Sequence, residues 1–198
     1  GMHKDVLQDL LLFYSSSQQK PVTLKEYVSR MKEDQKEIYY CAGDSIARID
    51  SLPQTELVKD KGYEILYLTD DVDEFALQML MEYDGKKFAS ISAEGADFST
   101  QEEKDQAKQA QETNQSLLDA MKNALGDKGK EVKITTRLKS HPVCLSAAGS
   151  LSLEMEKVLN AMPGNEKVTA QRVLEINVNH PIFRRLQSLY EGDKAKVK

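Results

Sequence analysis

The chain has 198 residues, 40% hydrophobic and 30% charged, with 32 acidic against 27 basic side chains and a formal net charge of −5. This globular composition fits one large or two small domains and excludes a fibrous repeat or a disordered tail. The acidic balance argues against a general nucleic-acid or anionic-membrane surface, and no apolar run approaches the ~20 residues of a membrane helix.

Residues 5–14, DVLQDLLLFY, predict a short helix capped by Asp5, with SSSQQKP releasing the chain after it. A helix followed by a loop is a poor domain start, so the chain reads as a piece of something longer, with Gly1 before Met2 as an expression scar. TLKE places Thr23 at the cap and Glu26 three residues on, a capping box for a helix through Met31. IYYCA (38–42) is a strand, after which Gly43-Asp44-Ser45 turns and caps a helix. Pro53 opens another helix that Lys61-Gly62 closes. EILYLT (64–69) is apolar throughout, as a strand covered on both faces would be. Asp70 and Asp71 are expected to cap the helix VDEFALQMLMEY, where Phe75, Met79 and Leu80 recur at helical spacing. Asp84-Gly85 then turns into a strand around FASIS (88–92). This alternation predicts a mostly parallel sheet in a three-layer α/β sandwich.

Gly95 to Thr100 reads as a linker, and Thr100 to Leu125 as one long helix. Its first half has only Ala107 and Ala110 as apolar contacts. Its second half carries Leu117, Leu118, Met121 and Leu125, which need a partner. The remainder predicts a small α+β domain: strands at 132–138, 141–147 and 172–178, helices at 152–162 and 181–190, and a fraying tail.

Catalytic patterns are missing. No GxGxxG follows a strand, GDKGK (126–130) lacks phosphate-loop spacing, and no serine sits in GxSxG. His3, His141 and His180 are scattered. Asp70, Asp71, Asp73 and Glu74 lack the glycine and distal glutamate of a calcium loop and suit a helix N-terminus. Cys41 and Cys144 lie singly in apolar runs and read as reduced, buried thiols of a cytoplasmic protein. The helix at 151–162 stands out, with Leu151, Met155, Val158, Leu159 and Met162 on one stripe. That stripe is either core or an exposed binding face of the adaptable kind methionine favours.

The blocks LKEYVSRMKEDQKEIYY (24–40), KGYEILYLTDDVDEFALQML (61–80), DGKKFASIS (84–92), RLKSHPVCLSAAGSLSLEMEKVLNAM (137–162) and RVLEINVNHPIF (172–183) resemble, in this order, the bacterial HtpG branch of the Hsp90 heat-shock chaperone family. The resemblance implies that residues 1–95 are the C-terminal α/β/α part of a middle domain. It makes residues 96–198 the first part of a C-terminal dimerisation domain, without its final bundle helices. The family's nucleotide domain would lie upstream. The expected fragment therefore has no catalytic, cofactor or metal residues of its own, and ATP and magnesium belong to the parent. Unfolded client proteins are the implied partners, with neither nucleic acid nor membrane. The fragment is expected to be monomeric or weakly associating, the parent a homodimer. Position by position, the resemblance marks Leu151, Met155, Val158 and Leu159 as client contacts. It adds Phe75, where some relatives carry tryptophan, and Gln78, and it favours the exposed reading of the stripe. Two rivals are a phosphate-binding α/β enzyme and a structural coupling module whose stripe is core.

Overall fold

A computed structural model describes residues 8–192, apart from 97 and 165. The expected start of the first helix at Asp5 and the tail from 193 lie outside the described residues. Within them the chain is mixed α/β, with two sheets.

Of the helix expected over 5–14, residues 5–7 lie outside the described residues and Gln8 is helical, but from Leu12 the chain is a hairpin strand. Leu12–Ser15 (β1) pairs antiparallel with Pro21–Thr23 (β2), Phe13 opposite Val22. Burial alternates along β1, with Phe13 and Ser15 turned inward, the period of a strand. The SSSQQ segment is the hairpin turn, with Gln19 at φ 53° and the Gln18 amide donating to Ser15 Oγ at 3.0 Å. Leu24–Ser29 (α1) starts at the predicted capping box, with Thr23 and Glu26 bonded reciprocally, and stops two residues before Met31.

Glu37–Ala42 (β3) is the centre of the first sheet, followed by Ile46–Asp50 (α2), capped by Ser45, and Pro53–Asp60 (α3). Gly43 is obligatory at that turn, because a Cβ there would meet Ile49 Cγ1 at 2.7 Å. Leu66–Leu68 (β4) is buried along its length. Asp73–Leu80 (α4) is capped by neither expected aspartate. Val72 holds the cap position, and Asp73 reaches back to the Asp70 amide. The helix ends three residues early, because Met81 turns at φ 68° and Glu82–Tyr83 (β5) pairs with Lys86–Ser90 (β6). The strand order is β2-β1-β4-β3-β6-β5, with β3 parallel to both β4 and β6 and the outer pairings antiparallel. Alternate residues of β3 and β4 feed two apolar clusters. Ile38, Tyr40, Leu66 and Leu68 meet Leu24, Tyr27 and Leu77 on one face. Tyr39, Cys41 and Tyr67 meet Ile49 and Val58 on the other.

The expected single helix from Thr100 to Leu125 is two: Gln101–Thr113 (α5) and Gln115–Leu125 (α6), broken at Asn114. Asn114 Nδ2 donates to the Ala110 carbonyl at 2.8 Å, and Gln187 donates to its Oδ1 at 2.6 Å, so its side chain competes with the helix backbone. The second sheet has the order β7-β9-β8, from Glu131–Ile134 (β7), Val143–Ala148 (β8) and Gln171–Ile176 (β9). Between β8 and β9 lies Leu153–Ala161 (α7), and Pro181–Gly192 (α8) follows. As expected, Leu117 and Leu118 of α6 dock, packing on Val132, Ile134, Ile176 and Phe183. The strand expected at 132–138 stops at Ile134, leaving Arg137 in the turn beyond it.

Candidate functional site

Strands β3 and β4 run side by side and end together, Ala42 opposite Leu68, with the Gly43 amide donating to the Leu68 carbonyl at 3.0 Å. The carboxyl ends of parallel strands are where open α/β sheets usually receive ligands. Here helix α7 lies across that position. A crevice of about 40 Å³ remains, with Leu68, Thr69, Asp70 and Glu74 on one wall and Glu154, Met155 and Val158 on the other.

Ser152, the N-cap of α7, donates from Oγ to Glu74 Oε2 at 2.5 Å and accepts from the Met155 amide at 3.0 Å. Glu74 is 4% exposed. Burial pushes its carboxyl above the usual range, and Glu154 adds to the push against the Ser152 hydroxyl. One turn along α4, Gln78 Nε2 donates to the Ser150 carbonyl at 2.9 Å and lies 3.1 Å from Met155 Sδ. Lys157 faces Asp44 across the same contact at 3.7 Å.

The two groups of sequence-predicted residues are thus brought together through Gln78 and Met155, 77 positions apart. They do not form an open face. Met155 is 6% exposed, so the solvent-facing stripe fails at its centre. Leu151, Val158, Leu159 and Phe75 are half-buried, and Gln78 is exposed. The physical reason is that Met155 points at the first sheet, whose strand ends give the stripe the partner a helical wheel cannot identify. Met79, expected among the recurring apolar positions of its helix, is 79% exposed, and so are Val72 (68%) at the helix start and Met81 (72%) just past its end.

A second set of contacts escaped sequence reasoning. Arg137 (side chain 5% exposed) pairs with Glu175 (3%) on β9, and its Nη1 donates to the Ile91 and Ala93 carbonyls at 3.0 and 2.9 Å. Lys133 adds a 2.7 Å bond to Glu94. The Glu94 amide donates to the Ala147 carbonyl at 2.8 Å, and Gln54 Nε2 to that of Leu145 at 3.0 Å. Glu56 accepts from the amide and hydroxyl of Ser140, which hold its carboxyl below the usual range. Apart from the Arg137–Glu175 pair, which lies within the second half, these bonds join residues before and after position 100. The only signal in the sequence was the isolated arginine and glutamate inside predicted strands. Burial also pushes the thiols of Cys41 and Cys144 up to about 12, as the buried reading of both implied.

A family model described as Hsp90 protein matches residues 2–198. The chaperone protein HtpG of Clostridium acetobutylicum is 58% identical over 198 residues, all of this chain and 31% of that protein. HtpG of Bacillus subtilis is 55% identical over 197 residues, covering all of this chain and 32% of its own length. HtpG of Halalkalibacterium halodurans is 58% identical, over 31% of its length. The chain therefore spans about a third of the length of the curated relatives it matches. No helix among the described residues is long and apolar enough to cross a membrane.

Proposed function

The chain belongs to the Hsp90 protein family, and from that premise we propose that it holds unfolded segments of client proteins where α4 and α7 meet. The observation that carries this reading is the convergence of Gln78 on Met155 and Ser150. Residues remote in sequence form one surface there, rimmed by apolar side chains that are half-exposed. Leu151, Val158, Leu159 and Phe75 supply the apolar contact, and Gln78 a donor for a client carbonyl. In this reading residues 1–95 are the closing α/β/α sandwich of a middle domain and 96–198 the opening of a dimerisation domain. Their polar contacts transmit movements driven by ATP elsewhere in a cytoplasmic, dimeric parent.

The expected affinity is low. Four apolar side chains buried at about 1.5–3 kcal/mol each are set against an association cost of about 4–15 kcal/mol. A single copy should bind weakly and with little sequence preference, and two copies facing one cleft would gain by avidity. The test is titration of a labelled, permanently unfolded polypeptide, followed by anisotropy. Val158→Asp with Leu159→Asp should weaken binding about tenfold or more while circular dichroism stays unchanged. Equal binding by this variant would overturn the reading. The chain itself is expected to take no nucleotide, and saturable micromolar binding of magnesium-ATP in calorimetry would contradict that.

A further inference from the structure

None of the three apolar clusters among the described residues contains side chains from both sides of position 100. The contact between the two halves is instead a set of hydrogen bonds and ion pairs, with Met155 as the single fully buried residue of α7. Interfaces without a large apolar core leave domains free to move by default.

A second observation points the same way. Three buried side-chain atoms among the described residues have no hydrogen-bond partner within the protein: Gln54 Oε1, Arg137 Nε and Ser146 Oγ. Gln54 and Arg137 reach across the contact with their other polar atoms. Ser146 lies between Leu145 and Ala147, whose backbone groups also bond across it. A buried polar group left unpaired costs free energy that solvation returns. Separation of the halves would hydrate all three, and Glu74 with them, offsetting part of what the broken bonds cost. The closed contact is thus satisfied poorly where a permanent interface would be satisfied well.

What the contact covers gives the separation a consequence. Met155 is the middle of the apolar stripe, and Gln78, the donor on the facing helix, spends its amide on Ser150 and Met155. We propose that the contact between the two halves, of which α4 against α7 is a part, is an autoinhibitory latch. In the closed arrangement each helix occupies the other's binding groups, and an unfolded apolar segment gains full access only when α7 lifts away from the strand ends. This inference rests on the client-binding reading above and assigns its regulation. Apparent affinity then scales with the fraction of molecules that are open.

The test locks the latch without touching the proposed client contacts. Asp44 and Lys157 face each other at 3.7 Å, with side chains 57% and 50% exposed. In an Asp44→Cys/Lys157→Cys variant, a short bismaleimide containing a reducible disulfide would tie α7 down. Cys41 and Cys144 are buried, with thiols pushed up to about 12, and would not compete for the reagent. The probe is reduced, carboxymethylated α-lactalbumin, a chain without a fold of its own. The locked form should bind it about tenfold or more weakly than the same variant after the linker is reduced. Hydrogen exchange supplies an independent readout. Added probe should speed exchange at the Glu94 and Ala147 amides, which bond across the contact, and leave the Ile91 amide, bonded to Tyr40 within the first sheet, unchanged. Equal binding by locked and reduced forms, or binding without faster exchange at Glu94 and Ala147, would overturn the latch and leave the client-binding reading standing. Failure of both forms to bind would overturn that reading, and the latch with it.

Discussion

Strands β3 and β4 place apolar side chains on both of their faces, and each face closes on an apolar cluster of its own half. Strand β9, the middle strand of the second sheet, also has one apolar face, where Ile176 meets Leu118 and Phe183. Its other face presents Glu175, and what meets it is Arg137, itself bonded to carbonyls of the first half. Apolar burial is non-directional and tolerates small shifts, whereas a guanidinium shared between a carboxylate and two carbonyls holds only in one geometry. The first sheet therefore carries its stability within itself. The second depends on where its neighbour sits.

The largest expected effect breaks the charged side of that comparison. Arg137→Ala leaves buried Glu175 with only the Lys133 ammonium, 4.0 Å away, as a counter-charge and should cost about 3–5 kcal/mol in urea unfolding. Arg137→Met combined with Glu175→Leu should recover most of the loss, since neither charge is then stranded. A cost for Arg137→Ala inside the ordinary surface range would mean that the pair does not position the second sheet.

Truncation in the apolar region comes next. Leu66→Ala empties a fully buried site and should cost about 2–5 kcal/mol. A spectroscopic probe placed in each half sharpens the comparison: if the halves unfold separately, only the first transition moves.

Met155→Asp sets a carboxylate beside Glu74 and Glu154. The expected cost is about 1–3 kcal/mol, beyond the roughly 0.5 kcal/mol of a typical surface change. It is limited because α7 can lift away in place of burying the charge. A value within the surface range would return Met155 to the solvent-facing reading.

The smallest effect is a pair of opposed pH slopes. The Glu74 carboxyl is raised above its ordinary 4.5 in the folded chain. The native state therefore keeps that proton longer than the unfolded chain does, and the associated stability is lost as pH rises above 4.5 through the raised value. Glu56 is lowered from 4.5 by Ser140, so its contribution is present above that value and is lost as pH falls below it. Melting temperatures across the acidic range should show both slopes in the unmodified chain. Glu74→Gln should flatten the first, leaving the smaller part that Asp73, also raised by burial, contributes, and keep the second.

Local chemistry made much of this readable in advance. The Thr23–Glu26 capping box, Ser45 as a cap, Pro53 at a first turn and the apolar run of β4 all act within a few residues, so sequence alone places them. Leu12–Ser15 was misread because LLLFY satisfies helical spacing as well as alternation, and its choice of strand depends on Tyr67, far along the chain. The break at Asn114 depends on Gln187 in the same way. Arg137 and Glu175 carry no motif, since an ion pair between remote residues leaves no pattern in either neighbourhood. In the binding region the residue types were legible and their state was not. A wheel shows that Met155 needs a partner, while only the packed halves show that the partner is the first sheet.

The pairing of β1 has a consequence for the order in which the chain is made. Its hairpin partner β2 leaves the ribosome within moments, but its other neighbour does not exist until Tyr67, which pairs with Tyr14, has been synthesised. At about 5–20 residues per second that wait lasts about 3–10 s. Throughout it, Leu12–Ser15 offers one unpaired backbone edge and an inward-turned Phe13 to whatever is nearby. Translation speed across residues 24–67 therefore sets how long the nascent chain presents a strand edge that a neighbouring chain could pair with.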